Sequence, residues 1–360
     1  MDNKKNVLLI FGGASPEYDV SCSSAAGIIE NIDYNSYNLF VVGITKQGEW
    51  IYTKASAEDI RETNKWIESK TNKKAILSVD RSTHGLVIFN DDGSTINEYI
   101  DVIFPIIHGE NGEDGTLQGL FEIAGIPYVG ANVCASACSM DKVVTRLFAD
   151  YIGILQPKCY ILDSDEINDD KKDIVERVEK CIGDSYPMIV KPSMTGSSVG
   201  ISKVNNPDEL YDAILFASQY KGKIMIEEYI TGKEIKVAVL EKNEAITTGE
   251  LCEIVVANGC FNDYNLKYKA TGTHKKIPAD IKKEVADEIK EISIKIFKEL
   301  NCKDYSRVDF FLTNDDKIYF NEINTIPGFS KKSIYPLMID KIGMDYTQLI
   351  SSLINNNVDR

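Results

Sequence analysis

Apolar residues in the first third of the chain come in short runs separated by amphipathic stretches: residues 7–11, a helical spacing over about 21–32, then 39–44, 102–107 and a second helical stretch near 117–124. Short apolar runs bounded by turn formers read as buried strands, and their alternation with helical periods predicts a βαβ-type parallel sheet. Between 50 and 100 the pattern weakens into Asn, Lys and Ser, with a hairpin predicted around Asn90-Asp-Asp-Gly93. A helix is expected from Ser139-Met-Asp-Lys142 to about 152, a charged helix over 163–182, and an apolar strand over 187–191 that ends in Pro192-Ser-Met-Thr-Gly-Ser-Ser-Val-Gly200. Strands follow at 224–229, 233–241 and 245–256, then an irregular polar stretch over about 257–278, a long helix over 279–300 and a hairpin over 306–325. With no repeat and no low-complexity linker, the lobes are expected to pack together.

Length divides this pattern further. A chain of 360 residues exceeds one ordinary core, and the expected division is 1–132, 133–230 and 231–360, the last carrying a lid loop at about 257–278. No apolar run is long enough to cross a bilayer, and the opening Met1-Asp-Asn-Lys-Lys reads as the lead into a buried first strand of a cytoplasmic protein. The eight cysteines are scattered through apolar segments without zinc-site or disulfide-scaffold spacing, so they are expected to be free core thiols; Cys134 and Cys138 suit one helix face. A net charge of −15 disfavours nucleic acid and membrane surfaces as partners, and obliges any phosphate-bearing ligand to be held by local cations.

The sharpest chemical signal is the last hairpin. Pairing Arg307-Val-Asp309-Phe-Phe-Leu312 with Ile318-Tyr-Phe-Asn-Glu322-Ile-Asn324 symmetrically about Asp315/Asp316 sets Asp309 opposite Glu322 and Arg307 opposite Asn324. All four then share one face, while Val308, Phe310, Leu312, Asn321 and Ile323 face the other way. Opposed carboxylates among apolar neighbours repel unless a cation lies between them, and a set of carboxylates with an amide carbonyl favours Mg²⁺ or Mn²⁺. An exposed charged strand face is the plainer alternative.

Other segments carry weaker signals. Gly196-Ser-Ser-Val-Gly200 follows a strand ending in Lys191 and could bring backbone N–H groups and a lysine to phosphate oxygens, although it lacks the Walker pattern and could be a mere turn. Glu227 and Glu228 end a strand and could accept hydrogen bonds from a nucleotide, or be solvated charge. Gly12-Gly13-Ala-Ser-Pro-Glu17 lacks the third glycine of a dinucleotide fingerprint, and Glu17 there could grip an ammonium group. His108-Gly-Glu-Asn-Gly-Glu-Asp-Gly115 forms a loop whose basal histidine can be structural or substrate-binding. Phe261-Asn-Asp-Tyr-Asn-Leu-Lys267-Tyr268 opens the long irregular stretch before Pro278, and such loops are commonly lids.

Together these segments resemble the D-alanine–D-alanine ligase family of the ATP-grasp superfamily, from Val7 to beyond Pro336. The motifs are Gly12-Gly-Ala-Ser-Pro-Glu17-Tyr-Asp-Val-Ser, His108 to Gly119, Ser139-Met-Asp-Lys142, Val190-Lys191-Pro with Gly196 to Gly200, Lys267-Tyr268, Arg307-Val-Asp309 and Asn321-Glu-Ile-Asn324-Thr-Ile-Pro-Gly328. The resemblance implies an α/β ATP-grasp fold with an N-terminal Rossmann-like domain, and ligation of two D-amino acids through an acyl phosphate for peptidoglycan precursors. It implies that Lys142, Lys191 and Ser198 approach the ATP phosphates, Glu227, Glu228 and Ile230 the adenine side, Glu234 the ribose, and Lys267 the γ-phosphate. Asp309, Glu322 and Asn324 would hold two Mg²⁺ or Mn²⁺ ions. Glu17 would bind the first ammonium, with Ser197 and Tyr268 fastening the lid to it. Arg307 and the Gly328 N–H would stabilise the oxyanion, with His108 beside the substrate and Ser333 and Ile334 at the second one. The family also implies a homodimer.

The chain departs from the family pattern at Glu228, where relatives have Lys, at Lys331-Lys332 ahead of Ser333, and at Ile334, where relatives carry Leu or Arg. An apolar Ile334 favours D-alanine as second substrate over D-serine, and Lys267-Tyr268 argue against D-lactate, with His274 in the same loop. Rival readings are a non-catalytic nucleotide- or dipeptide-binding module, which would release no ADP, and a biotin-dependent carboxylase-type enzyme, which the Glu17 and Ser333 segments do not match.

Overall fold

The computed structural model describes residues 4–256 and 273–358, apart from Asn64, Ser164, Asp169 and Ser198. The expected lid residues Lys267 and Tyr268, the phosphate-loop Ser198 and Cys260 lie outside the described residues.

The first sheet contains β1 (Lys5–Gly12), β2 (Tyr37–Ile44), β3 (Trp50–Tyr52), β4 (Lys73–Leu77), β5 (Gly85–Phe89), β6 (Thr95–Tyr99) and β7 (Val102–Pro105), in the order β6-β5-β4-β3-β2-β1-β7. β2-β1-β7 are parallel; the strands from β3 to β6 add on antiparallel, so the expected parallel sheet is a parallel core with an antiparallel extension. The hairpin predicted at 90–93 joins β5 to β6. β1 is apolar from Val7 to Phe11 because both of its faces are covered there: Val7, Leu9 and Phe11 enter one core cluster, Leu8 and Ile10 another.

The second sheet is antiparallel, order β10-β9-β11-β8, from β8 (Cys159–Leu162), β9 (Met188–Pro192), β10 (Ser202–Val204) and β11 (Ile224–Glu228). The charged helix expected from 163 begins at Lys171, because the Asp170 carboxylate accepts from Lys172 N at 2.9 Å and so caps it there; β8 occupies residues the pattern did not mark as a strand.

The third sheet has the order β15-β14-β12-β16-β17, with β13 also paired to β12: β12 (Lys233–Lys242), β13 (Ala245–Thr248), β14 (Cys252–Val256), β15 (Thr273–Lys276), β16 (Tyr305–Leu312) and β17 (Ile318–Asn324). The helix Lys283–Glu299 lies on it through Val285, Ile289, Ile296 and Phe297, a helical spacing. Its start is four residues later than expected, since Ala279 N donates to Leu251 O and keeps the preceding segment against β14.

The C-terminal helix Tyr346–Val358 returns to the first sheet, its Leu349, Ile350, Leu353 and Ile354 joining Val7, Leu9 and Phe11 in one cluster. Phe329 packs against Phe104, Tyr305 and Tyr335, which holds the segment after β17 against the end of β7. The seven described cysteines are free, but the expectation of core thiols fails for some: Cys134 and Cys181 are exposed and Cys138 and Cys159 only partly covered, because amphipathic helices carry some cysteines outward.

Candidate active site

A solvent-open cleft of about 290 Å³ runs between the ends of the three sheets, and Glu17, His108, Lys142, Ser197, Arg307, Glu322, Asn324, Gly328, Ser333 and Ile334 all line it. Their convergence is built from loop tips. Ser15 Oγ donates to His108 O at 2.6 Å and Ser21 Oγ to Ile106 O at 2.6 Å, which ties the loop after β1 to the loop after β7. Glu17 then precedes the helix Tyr18–Asn31, and its Oε1 accepts a hydrogen bond from Ser197 Oγ across the cleft. Gly109, at φ +73°, and Gly196 leave room for this carboxylate: a Cβ at either would lie 3.0 Å from Glu17 Oε2.

The hairpin β16–β17 sets Asp309 opposite Glu322 and Arg307 opposite Asn324, as expected. It reaches that register by a different route. The turn closes with Thr313 N on Lys317 O, one residue away from the expected symmetry, and a bulge between Asp309 and Phe310 restores the pairing at the acids. Phe320, not Asn321, therefore shares the core face with Phe310. Arg307 grips Asp309 with Nε and Nη2 at 2.7 and 2.9 Å, and Asn324 Oδ1 is buried without a hydrogen-bond partner among the described residues. No group of three or more His, Cys, Asp or Glu gathers among those residues, so the metal-donor candidates are two carboxylates and this amide oxygen.

Lys142 opens the helix Lys142–Tyr151, capped by Asp141; its Nζ donates to Thr195 O at 2.7 Å and lies 3.6 Å from Glu322. Lys191, on β9, is buried with its Nζ 2.7 Å from Glu227 Oε2 on β11, and Arg146 stands 3.7 Å from the same carboxylate. Burial works against the charge of Lys191, but Glu227 outweighs it and holds the ammonium above its ordinary range. Glu228 accepts from Lys158 N at 2.8 Å. Asp309, Lys191, Glu227, Glu228, Ile230 and Glu234 do not themselves line the cleft.

Both halves of the chain match family models, "D-ala D-ala ligase N-terminus" over residues 6–131 and "D-ala D-ala ligase C-terminus" over 148–355. The chain belongs to the D-alanine–D-alanine ligase family. It is 40% identical to the D-alanine–D-alanine ligase of Acetivibrio thermocellus, covering 100% of this chain and 97% of the relative, and 41% identical to that of Thermoanaerobacter pseudethanolicus, covering 99% and 97%. Among solved structures it resembles the VanG D-Ala:D-Ser ligase from Enterococcus faecalis (TM-score 0.86, 37% identity, 98% and 99% of the two chains) and the D-alanine–D-alanine ligase from Coxiella burnetii (0.83, 30%, 99% and 96%). The fold is therefore ATP-grasp, and ATP fits as a substrate of a ligase of this family.

Within the ligase, two residues without an expected role stand in the cleft wall. Glu113 is buried, 3.8 Å from His108 Nδ1, and its Oε1 lacks a hydrogen-bond partner among the described residues. Burial pushes its carboxyl up, as does the charge of Glu17, against the opposing pull of His108. His108 itself spans the cleft base, Nδ1 on Ile326 O at 2.7 Å and Nε2 3.3 Å from Ser24 Oγ. Lys236, on β12, lies 2.6 Å from Asp309 Oδ2; burial opposes its charge, but Asp309 and Glu234 hold the ammonium above its ordinary range. Glu113 stood in a quoted motif, whereas Lys236 had no local signal.

Proposed function

We propose that this chain joins two D-alanine molecules, converting ATP to ADP and phosphate, to supply peptidoglycan precursors in the cytoplasm, and that it acts as a homodimer. The observation that carries the reading is the single cleft in which the Glu17–Ser197 clasp faces Arg307, Glu322 and Asn324. Glu17 binds the first ammonium and Ser197 holds its carboxylate in place. Lys142 and Lys191 hold the triphosphate, Glu227, Glu228 and Ile230 border the adenine, and Glu234 takes the ribose. The γ-phosphoryl group passes to the first carboxylate, turning a poor electrophile into an acyl phosphate. The amine of the second D-alanine, whose carboxylate rests at Ser333 beside Ile334, attacks that carbonyl. Arg307 and the Gly328 N–H stabilise the resulting oxyanion until phosphate leaves.

The orphaned Asn324 Oδ1 beside opposed Asp309 and Glu322 fits a hard divalent ion that completes its shell with phosphate oxygens. When bound, Mg²⁺ or Mn²⁺ would neutralise charge on the transferring phosphoryl group. The test is phosphate release with D-alanine fixed as first substrate and D-alanine, D-serine or D-lactate offered as second, with and without EDTA. Preference for D-alanine and loss of turnover in EDTA are expected; preference for D-serine would instead favour the activity named for the VanG relative, and absence of ADP would end the ligase reading.

A further inference from the structure

Lys236 has no part in the mechanism above, yet it stands against Asp309, one of the expected metal donors. It lies directly across the sheet from Asp309, its side chain is 7% exposed, and its Nζ is 2.6 Å from Asp309 Oδ2 and 2.7 Å from Glu234 Oε1. Arg307 already takes both oxygens of Asp309. A carboxylate offers about four lone-pair directions, and here three of them face N–H donors. A divalent ion approaching the remaining one meets two full positive charges in an interior where water screens little.

We infer that Lys236 is a resident cation of the metal site: without nucleotide it fills the place on Asp309 that a divalent ion needs, and it yields when a triphosphate arrives to balance both charges. The inference rests on the ligase reading for the identity of the metal site and goes beyond it by assigning an order of binding. A lysine suits this work because its flexible four-carbon stem lets the ammonium swing without moving the strand. Glu234, two residues earlier on the same face, offers the displaced ammonium a second partner, and a phosphate oxygen offers a third. Arg307 cannot substitute, since its fork is held bidentate on Asp309. Metal would then enter as its nucleotide complex.

The test is Mn²⁺ binding followed by water-proton relaxation enhancement, which rises when Mn²⁺ or its ATP complex is immobilised on protein, on wild type, Lys236→Met and Lys236→Arg, first alone and then with ATP but no amino acid. Without nucleotide, wild type and Lys236→Arg are expected to bind Mn²⁺ at least tenfold more weakly than Lys236→Met, and ATP should close the gap. Equal nucleotide-free affinity in wild type and Lys236→Met overturns the inference. Mn²⁺ binding by wild type that is as tight without ATP as with it also overturns it, and decides the matter even if Lys236→Met does not fold. Absence of Mn²⁺ binding in every protein with ATP present overturns the metal-site reading itself, an outcome separate from the first two.

Discussion

Replacing Glu227 by Gln tests whether the buried Lys191–Glu227 pair holds the four-stranded sheet together in addition to the nucleotide contacts proposed for it. Both side chains are under a tenth exposed. At their separation of 2.7 Å, and with an effective dielectric of about 20, the attraction is about 6 kcal/mol. Desolvation of both ions offsets part of that, and removal of one partner from such a pair costs about 3–5 kcal/mol, because a buried charge is left uncompensated. Both tryptophans, Trp50 and Trp66, lie outside this sheet, so fluorescence would miss the change. Hydrogen exchange at the amides of β9 and β11 would register it, alongside urea denaturation followed by circular dichroism. The double variant Lys191→Met/Glu227→Leu, which replaces the pair with apolar groups, should recover most of the lost protection while leaving ATP affinity abolished. If the double variant is no more stable than Glu227→Gln, the loss came from packing and the electrostatic reasoning is refuted.

Ser197→Ala removes a hydrogen bond to a carboxylate, worth about 1.5–3 kcal/mol, and should raise KM for the first D-alanine about ten- to hundredfold with KM for ATP little changed; equal effects on both would contradict the clasp. Gly109→Ala should act in the same direction, since its Cβ would crowd Glu17 and its φ of +73° disfavours any side chain; unchanged KM for the first D-alanine would argue against that crowding. Burial pushes the thiols of Cys22, Cys159 and Cys302 up to about 12. At pH 8 only about one such thiol in ten thousand is thiolate, so iodoacetamide should label exposed Cys134 and Cys181 first, with labelling of Cys302 rising only as pH climbs. Labelling of Cys302 at the same rate as Cys134, read by peptide mass spectrometry, would refute that assignment.

Features written locally were legible in the sequence. The continuous apolar run of β1 marks a strand covered on both faces, and the alternation in 307–312 and 318–324 marks a hairpin that puts Arg307 and Asp309 on one face. The antiparallel extension of the first sheet was not legible, because β3 is three residues long and half-buried, too short to show a period. The late start of the helix at Lys171 depends on which acid of Asp163, Asp165, Asp169 and Asp170 caps it, a choice the composition leaves open.

The hairpin shows how a correct pairing can come from an incorrect path. Two departures of one residue each, at the turn and at the bulge, cancel at the acids and do not cancel at Phe320, so the site face was read correctly, as were Val308, Phe310, Leu312 and Ile323 on the core face, but Asn321 was placed where Phe320 stands. Lys236 marks a different boundary. Its partner Asp309 is 73 residues away on a strand whose neighbour no local pattern names, and a lysine in a strand reads as solvent-facing until that neighbour is known. Once β12 is laid beside β16, the same residue becomes a buried cation on the carboxylate proposed as a metal donor, and charge balance at that proposed site cannot be argued without it.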